Sequence, residues 1–158
     1  MEKIPVIFFK PDFLLRDEEL YRLIFNNLKD YAIILLDPNG YIISWNKGAE
    51  IMKGYKKEDI LHNHFSILYA VENIRENKPN NDLRHAIVYG MHEEKSIWIR
   101  KNGNKIFVSI SITALINPKG ELRGFSLIVK DITKFRKTDE RLIDHNYFVK
   151  SVMQEKTP

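Results

Sequence analysis

Three short stretches constrain this chain more than any other feature: "DPNG" at 37–40, "KNGN" at 101–104 and "NPKG" at 117–120. Asn-Gly and Pro-x-Gly sequences supply the positive φ angle and the pre-set bend that tight hairpins need. The first lies between runs 31–36 and 41–45, the second between 96–100 and 105–116, and the third leads into 121–130. Each therefore predicts an antiparallel pair. In "NKIFVSISITAL", Ile106, Val108, Ile110 and Ile112 alternate with Phe107, Ser109, Ser111 and Thr113. That period of two predicts one buried face and one mostly polar face. Phe125, Leu127 and Val129 share a face of the following strand, and Ile97 and Ile99 oppose Trp98 and Arg100.

Between residues 47 and 91 the period changes. "NKGAEIMKGY" and "KKEDILHNHFSILY" read as short helices with polar breaks. "PNNDLRHAIVYG" reads as a further helix that starts after Pro79 and is ended by Gly90, with Leu83, Ala86 and Ile87 on its apolar side. Upstream, "RDEELYRLIFNNL" offers Asp17 as an N-cap and Glu18 and Glu19 in the first turn. Leu20, Leu23, Ile24 and Leu28 then form a stripe at helical spacing. Strand pairs segregated around a cluster of helices imply an antiparallel α+β domain and not a doubly wound parallel sheet.

Composition narrows the function. The chain's 158 residues suffice for one domain with a core plus an accessory helix. It has no cysteine, which excludes disulfides, thiolate catalysis, cysteine–zinc sites and cysteinyl flavin adducts. The net charge of +4 is dispersed over several short clusters, without the dense footprint of a nucleic-acid binder. The longest apolar run, 31–36, falls far short of a membrane span. The N-terminal "MEKIPVIFFKPDF" is too short and too poorly flanked for a signal peptide, so a cytoplasmic location is expected. No phosphate-cradling glycine loop and no nucleophile–base pairing can be read among the five histidines, so no enzymatic activity is expected of the chain.

The ordered set "KDYAIILLDPNGYIISWNKGAE" (29–50), "GYKKEDIL" (54–61), "HFSILY" (64–69), "WIRKNGNKIFVSISITAL" (98–115) and "GELRGFSLIVKDIT" (120–133) resembles the PAS sensor domain of the S-box type found in signalling proteins. The resemblance covers about residues 18 to 135. It implies a five-stranded antiparallel sheet with short helices over one concave face, which holds either a small molecule or simply a core. The domain would occupy 18–131 with its N-terminal flanking helix, between an extension at 1–17 and an output helix at 132–158. On this resemblance, Asp37–Gly40 is the frame of the first hairpin, with Trp45 buried and Asn46 a cap. The sequence departs from the family in three places. Asn63 stands where glycine is common, Ala70 where proline is common, and Trp98 lies one residue after the usual tryptophan, at the position following Ile97.

Residues expected to line a pocket on the concave face are Trp45, Phe65, Tyr69, Ile87, Ile110 and Leu127. No ligand or cofactor is named by them. Some relatives bind haem through a histidine on the helix before the third strand, where His85 lies here. His85 sits about 200° around the wheel from Leu83, however, which points it outward. A non-covalent flavin remains open through stacking on aromatic side chains. His62 and His64 have strand-like spacing, but no carboxylate or third histidine lies close in sequence, and no metal site is assigned.

The tail carries the output expectation. Ile132, Phe135, Asp139, Leu142, Asn146, Val149 and Met153 follow alternating steps of three and four, a heptad seam with two polar interruptions. Asp131 or Thr133 is the expected cap, and both are expected to relay a signal from the last strand into this helix. A single amphipathic helix folded back on its own domain is the alternative. The end "YFVKSVMQEKTP" faintly resembles a histidine-kinase dimerisation box with Met153 at the histidine position, so no phosphotransfer is assigned. The expected whole is a homodimeric sensory module coupled to an output domain such as a histidine kinase. The alternatives are a ligand-free interaction and dimerisation module, or a haem or flavin redox sensor.

Overall fold

The computed structural model of the chain describes residues 17–135. In chain order the elements are α1 (Asp17–Asn27), β1 (Tyr31–Leu36), β2 (Ile42–Trp45), α2 (Lys47–Lys53), α3 (Lys57–Ile60), a 3-10 turn (Phe65–Leu68), α4 (Val71–Arg75), α5 (Lys78–Tyr89), β3 (Met91–Ile99), β4 (Lys105–Ile116) and β5 (Leu122–Asp131). The strands form one sheet in the order β2-β1-β5-β4-β3. Every neighbouring pair is antiparallel. This is the α+β sheet that the turn signals and the resemblance imply.

Register follows from the alternating pattern, because a slip of one residue would expose the whole apolar set. Ile34 lies opposite Leu127, which lies opposite Ile112 on the next strand. Ala32, Val129 and Ile110 form the neighbouring row. All six are buried. The helices between β2 and β3 close over this face with Ala49, Met52, Ile60, Phe65, Leu68, Leu83 and Ala86. The other face of the sheet keeps Ile43, Ile97, Ile99 and Ile128 exposed.

Asn46 fixes the corner at which β2 becomes α2. Its Oδ1 accepts from Ala49 N at 2.8 Å, the helix cap, and from Ile33 N at 2.8 Å. Its Nδ2 donates to the carbonyls of Phe25 and Tyr31 at 3.0 Å, and to that of Leu28 at 3.4 Å. A side chain that is 1% exposed thus satisfies its whole hydrogen-bonding capacity and ties α1 to the sheet. Gly48 follows for a steric reason: a Cβ there would overlap the Tyr31 carbonyl oxygen. At Gly40 the reason is conformational, since its φ of 88° closes the first hairpin.

Several elements differ from the sequence expectations. β3 begins at Met91, five residues before the predicted run, because "MHEEK" has the right alternation but little apolar content. By contrast, the short helices expected over 56–69 are present as α3 and the 3-10 turn, with the break between them at His62, which takes φ 70°, and His64, which bridges to Tyr41. On α5 the buried residues are Pro79, Asp82, Leu83 and Ala86. Ile87, assigned to the apolar side, is instead 45% exposed, one position past the edge of the buried stripe. The stripe Leu20, Leu23, Ile24 and Leu28 exists on α1 and just beyond it, but all four residues are exposed within residues 17–135.

Candidate functional site

The residues expected to line a pocket separate into three groups. Trp45, Phe65, Ile110 and Leu127 belong to one packed core cluster, each at most 4% exposed. The Trp45 indole N–H donates to the Tyr55 carbonyl at 3.0 Å, which satisfies its polar end. Tyr69 is half-buried at the margin of that core, edge-on to Phe65 with ring centroids 5.5 Å apart. Ile87 faces outward, away from the others. His85 is exposed, as its wheel position predicts, and its ring packs on those of Tyr89 and His92. His64 lies against Tyr41 and Phe65 and shares a hydrogen bond with Ser66 Oγ at 2.9 Å, whereas His62 is exposed. The two imidazoles of that pair therefore sit in different surroundings.

Where α5 meets the edge strand β3 there is a polar cluster that the sequence did not single out. The inner face of β3 carries His92, Glu94, Ser96 and Trp98 at alternate positions. His92 lies opposite Ile112 and Glu94 opposite Ile110, so two ionisable side chains occupy core-face positions. Asp82 of α5 faces them at 5% exposure. Lys78 Nζ donates to Glu94 Oε2 at 2.6 Å and to both Asp82 oxygens at 3.1 Å. The Tyr69 hydroxyl donates to Asp82 Oδ2 at 2.8 Å. Burial, with the Asp82 carboxylate beside it, holds that phenol far above its usual ionisation range. Lys78 is itself partly desolvated, which lowers its pKa, but its hydrogen bonds to Glu94 and Asp82 outweigh this and raise it overall.

A second cation, this one buried, lies on α2. Lys53, 3% exposed, donates to the Ile99 carbonyl at 2.8 Å and sits 5.0 Å from the centroid of the Trp98 ring. Desolvation lowers its pKa to about 8. Trp98 itself takes the core face at 4% exposure, while Ile97 is 48% exposed. The one-residue offset from the family pattern therefore still puts a tryptophan in the core, over the aliphatic stem and ammonium of Lys53.

The strand-to-helix junction is the third feature. The Asp131 carboxylate accepts from Thr133 N at 2.9 Å and from the Thr133 hydroxyl at 2.6 Å. The same hydroxyl oxygen accepts from Phe107 N at 3.1 Å, and Ile132 N donates to the Phe107 carbonyl at 2.8 Å. Arg100 lies 3.8 Å from the other Asp131 oxygen. A cleft of about 630 Å³ opens beside this clasp, between Lys29, Tyr31, Met52 and Lys130. The helix begins at Thr133, and the remainder of the predicted seam lies outside the described residues.

The profile of the PAS domain matches residues 30–134, two thirds of the chain. The chain belongs to the PAS domain family. This PAS domain is 34% identical over 125 residues to two-component system protein A of Emericella nidulans, a match that covers 79% of the chain and 18% of that protein. It is 24% identical over 134 residues to the cell-division control histidine kinase PdhS of Brucella ovis, covering 80% of the chain and 12% of the kinase. The chain thus spans less than a fifth of the length of these curated relatives. A solved PAS domain from Colwellia psychrerythraea shares the fold with a TM-score of 0.67 at 24% identity, over 75% of this chain and 99% of that one. Among the described residues, no helix is long and apolar enough to cross a membrane.

Proposed function

We propose that this PAS domain is the sensory and dimerisation module of a two-component signalling protein, and that it passes a conformational change to an output domain such as a histidine kinase. The observation that supports this most directly is the clasp at Asp131–Thr133. It joins the last residue of β5 to the first turn of the following helix, and it is held from the side by the backbone of β4. A shift between β4 and β5 would change the direction in which that helix leaves the sheet, and a heptad seam beyond it would pass the change to a partner helix. No catalytic step is assigned to the chain itself.

The test is a fusion of the chain to the dimerisation and ATPase core of a histidine kinase. Asp131→Ala and Thr133→Val, with the fold checked by circular dichroism, are each expected to shift autophosphorylation by about fivefold or more in either direction. Unchanged rates in both variants would defeat the relay.

A ligand-free interaction module is the second reading, favoured by the packing of Trp45, Phe65, Ile110 and Leu127 into one core. Native mass spectrometry and a visible spectrum of the purified chain separate the two. A stoichiometric small molecule, haem or flavin identifies an input; a clean apoprotein mass favours interaction alone.

A further inference from the structure

We propose that Asp82, His92 and Glu94 form a site for a first-row divalent cation of the zinc or manganese type, with Lys78 as the internal cation that the metal displaces. The site stands whether or not the Asp131–Thr133 junction relays a signal. It begins with an anomaly of patterning. The inner face of a strand over an apolar core should be apolar, yet β3 places His92 and Glu94 there at i and i+2, and α5 brings the buried Asp82 against them.

The donor atoms lie close together. One ligand atom from each residue lies within 4.8 Å of the other two. His92 Nε2 is 3.3 Å from Asp82 Oδ1 and 3.7 Å from Glu94 Oε2. Ligands bound tetrahedrally at about 2.0–2.1 Å stand about 3.3 Å apart, so His92 and Asp82 already have that spacing, and Glu94 has to move in until its oxygen stands as close to both. His92 Nε2 is also buried and makes no hydrogen bond, despite its nearness to Asp82. A buried imidazole nitrogen beside two carboxylates, and hydrogen-bonded to neither, is available as a metal ligand.

The surroundings orient the donors as outer-shell partners do. His92 Nδ1 meets His85 Nδ1 at 3.3 Å, and in the tautomer in which His92 Nδ1 donates to His85, the Nε2 lone pair is left for the metal. The Tyr69 hydroxyl takes Asp82 Oδ2 and leaves Oδ1 facing His92. Lys78 already sits where a cation belongs, within 3.1 Å of oxygens from both carboxylates. Its side chain is 28% exposed, so its flexible stem can carry the ammonium out to solvent. Exchange of one positive charge for two neutralises the paired carboxylates in full. One imidazole and two carboxylates suit zinc, manganese or ferrous iron better than magnesium or calcium.

The full 158-residue chain, stripped with EDTA and dialysed, would be titrated calorimetrically with Zn²⁺, Mn²⁺ and Mg²⁺, and with Co²⁺ followed by its visible d–d bands. One saturable site for Zn²⁺ or Mn²⁺ is expected, with Mg²⁺ weaker. Glu94→Gln and His92→Gln should each weaken it by about tenfold or more. Lys78→Met should tighten it by roughly tenfold, because the competing ammonium is gone. The double variant His62→Gln, His64→Gln should bind as the parent does. No saturable binding by any of these metals, or binding that Glu94→Gln and Lys78→Met both leave unchanged, would overturn the site. Because Lys78→Met predicts a gain, a loss of binding through misfolding cannot imitate the expected result.

Discussion

Lys53 shows how much of this domain is decided by single polar side chains placed inside it. Its position on α2 puts the ammonium among Trp98, the Ile99 carbonyl and the Leu68 carbonyl, where hydration is lost. The folded state therefore holds the proton less tightly than the unfolded chain, with a pKa of about 8 against the usual 10.5. Between those two values the unfolded chain binds more protons than the folded one, so stability rises as pH rises through that window. At about 1.4 kcal/mol per pKa unit, the gain is at most about 3 kcal/mol. Thermal midpoints measured from pH 7.5 to 10.5 should show this upward contribution in the parent and lose it in Lys53→Met. Parallel pH profiles for the two proteins would show that Lys53 stays charged at no cost. Nothing in the local sequence "IMKGY" marks this lysine as buried, since its partners come from β3 and from the 3-10 turn. Asn46 was legible, because a cap before Lys47–Lys53 has a local signature. Its three carbonyl partners in Phe25, Leu28 and Tyr31 were not, because they depend on where α1 comes to rest.

At the scale of elements, the same division between local and tertiary causes holds. β4 and β5 were readable because a strand covered on one face carries its own period, and both hairpin turns around them have Asn-Gly or Pro-x-Gly chemistry. The first half of β3 was not. Its inner positions are His92, Glu94 and Ser96, which look like a surface strand or a loop until α5 is laid over them. For the same reason His62 and His64 were weighed as metal ligands from the sequence and assigned no site, while Asp82, His92 and Glu94 were passed over. The latter are ten and two residues apart, and only the packing of α5 on β3 brings them together. The usable signal was the alternation His92-x-Glu94 directly after the helix-ending Gly90. Facing along β3 is itself testable through its two large neighbours. Trp98→Ala should cost about 3–5 kcal/mol, since it empties a core position over Lys53. Ile97→Ala, on the exposed face, should cost about 1 kcal/mol or less. Urea unfolding followed by circular dichroism decides between them, and equal losses would mean that the strand does not hold this register.

At the scale of the whole molecule, and besides the outer face of the sheet, two apolar stripes in helical sequence are candidates for joining one copy to another. One is the stripe of Leu20, Leu23, Ile24 and Leu28, all more than a third exposed within residues 17–135. The other is the heptad seam that the sequence places from Ile132 to Met153. They differ in how they would transmit a change. α1 is fastened at its C-terminal end through Asn46 to the β2–α2 corner, on the far side of β1 from the clasp between Phe107, Asp131 and Thr133. The seam, by contrast, leaves directly from that clasp. A relay through β5 therefore requires the seam to carry the dimer contact, since a dimer held only by α1 would leave the output helix free to turn without meeting a partner. Light scattering of the full chain at tens of micromolar should give a mass near twice the 18.7 kDa of one copy. Leu142→Glu or Val149→Glu should return it to the mass of a single copy, because each puts a charge into the seam, while Trp45 and Trp98 keep their buried-type fluorescence. Leu23→Glu should leave the mass unchanged. The reverse pattern, with loss of the dimer only in Leu23→Glu, would move the contact to α1 and with it the route by which this PAS domain reaches its output.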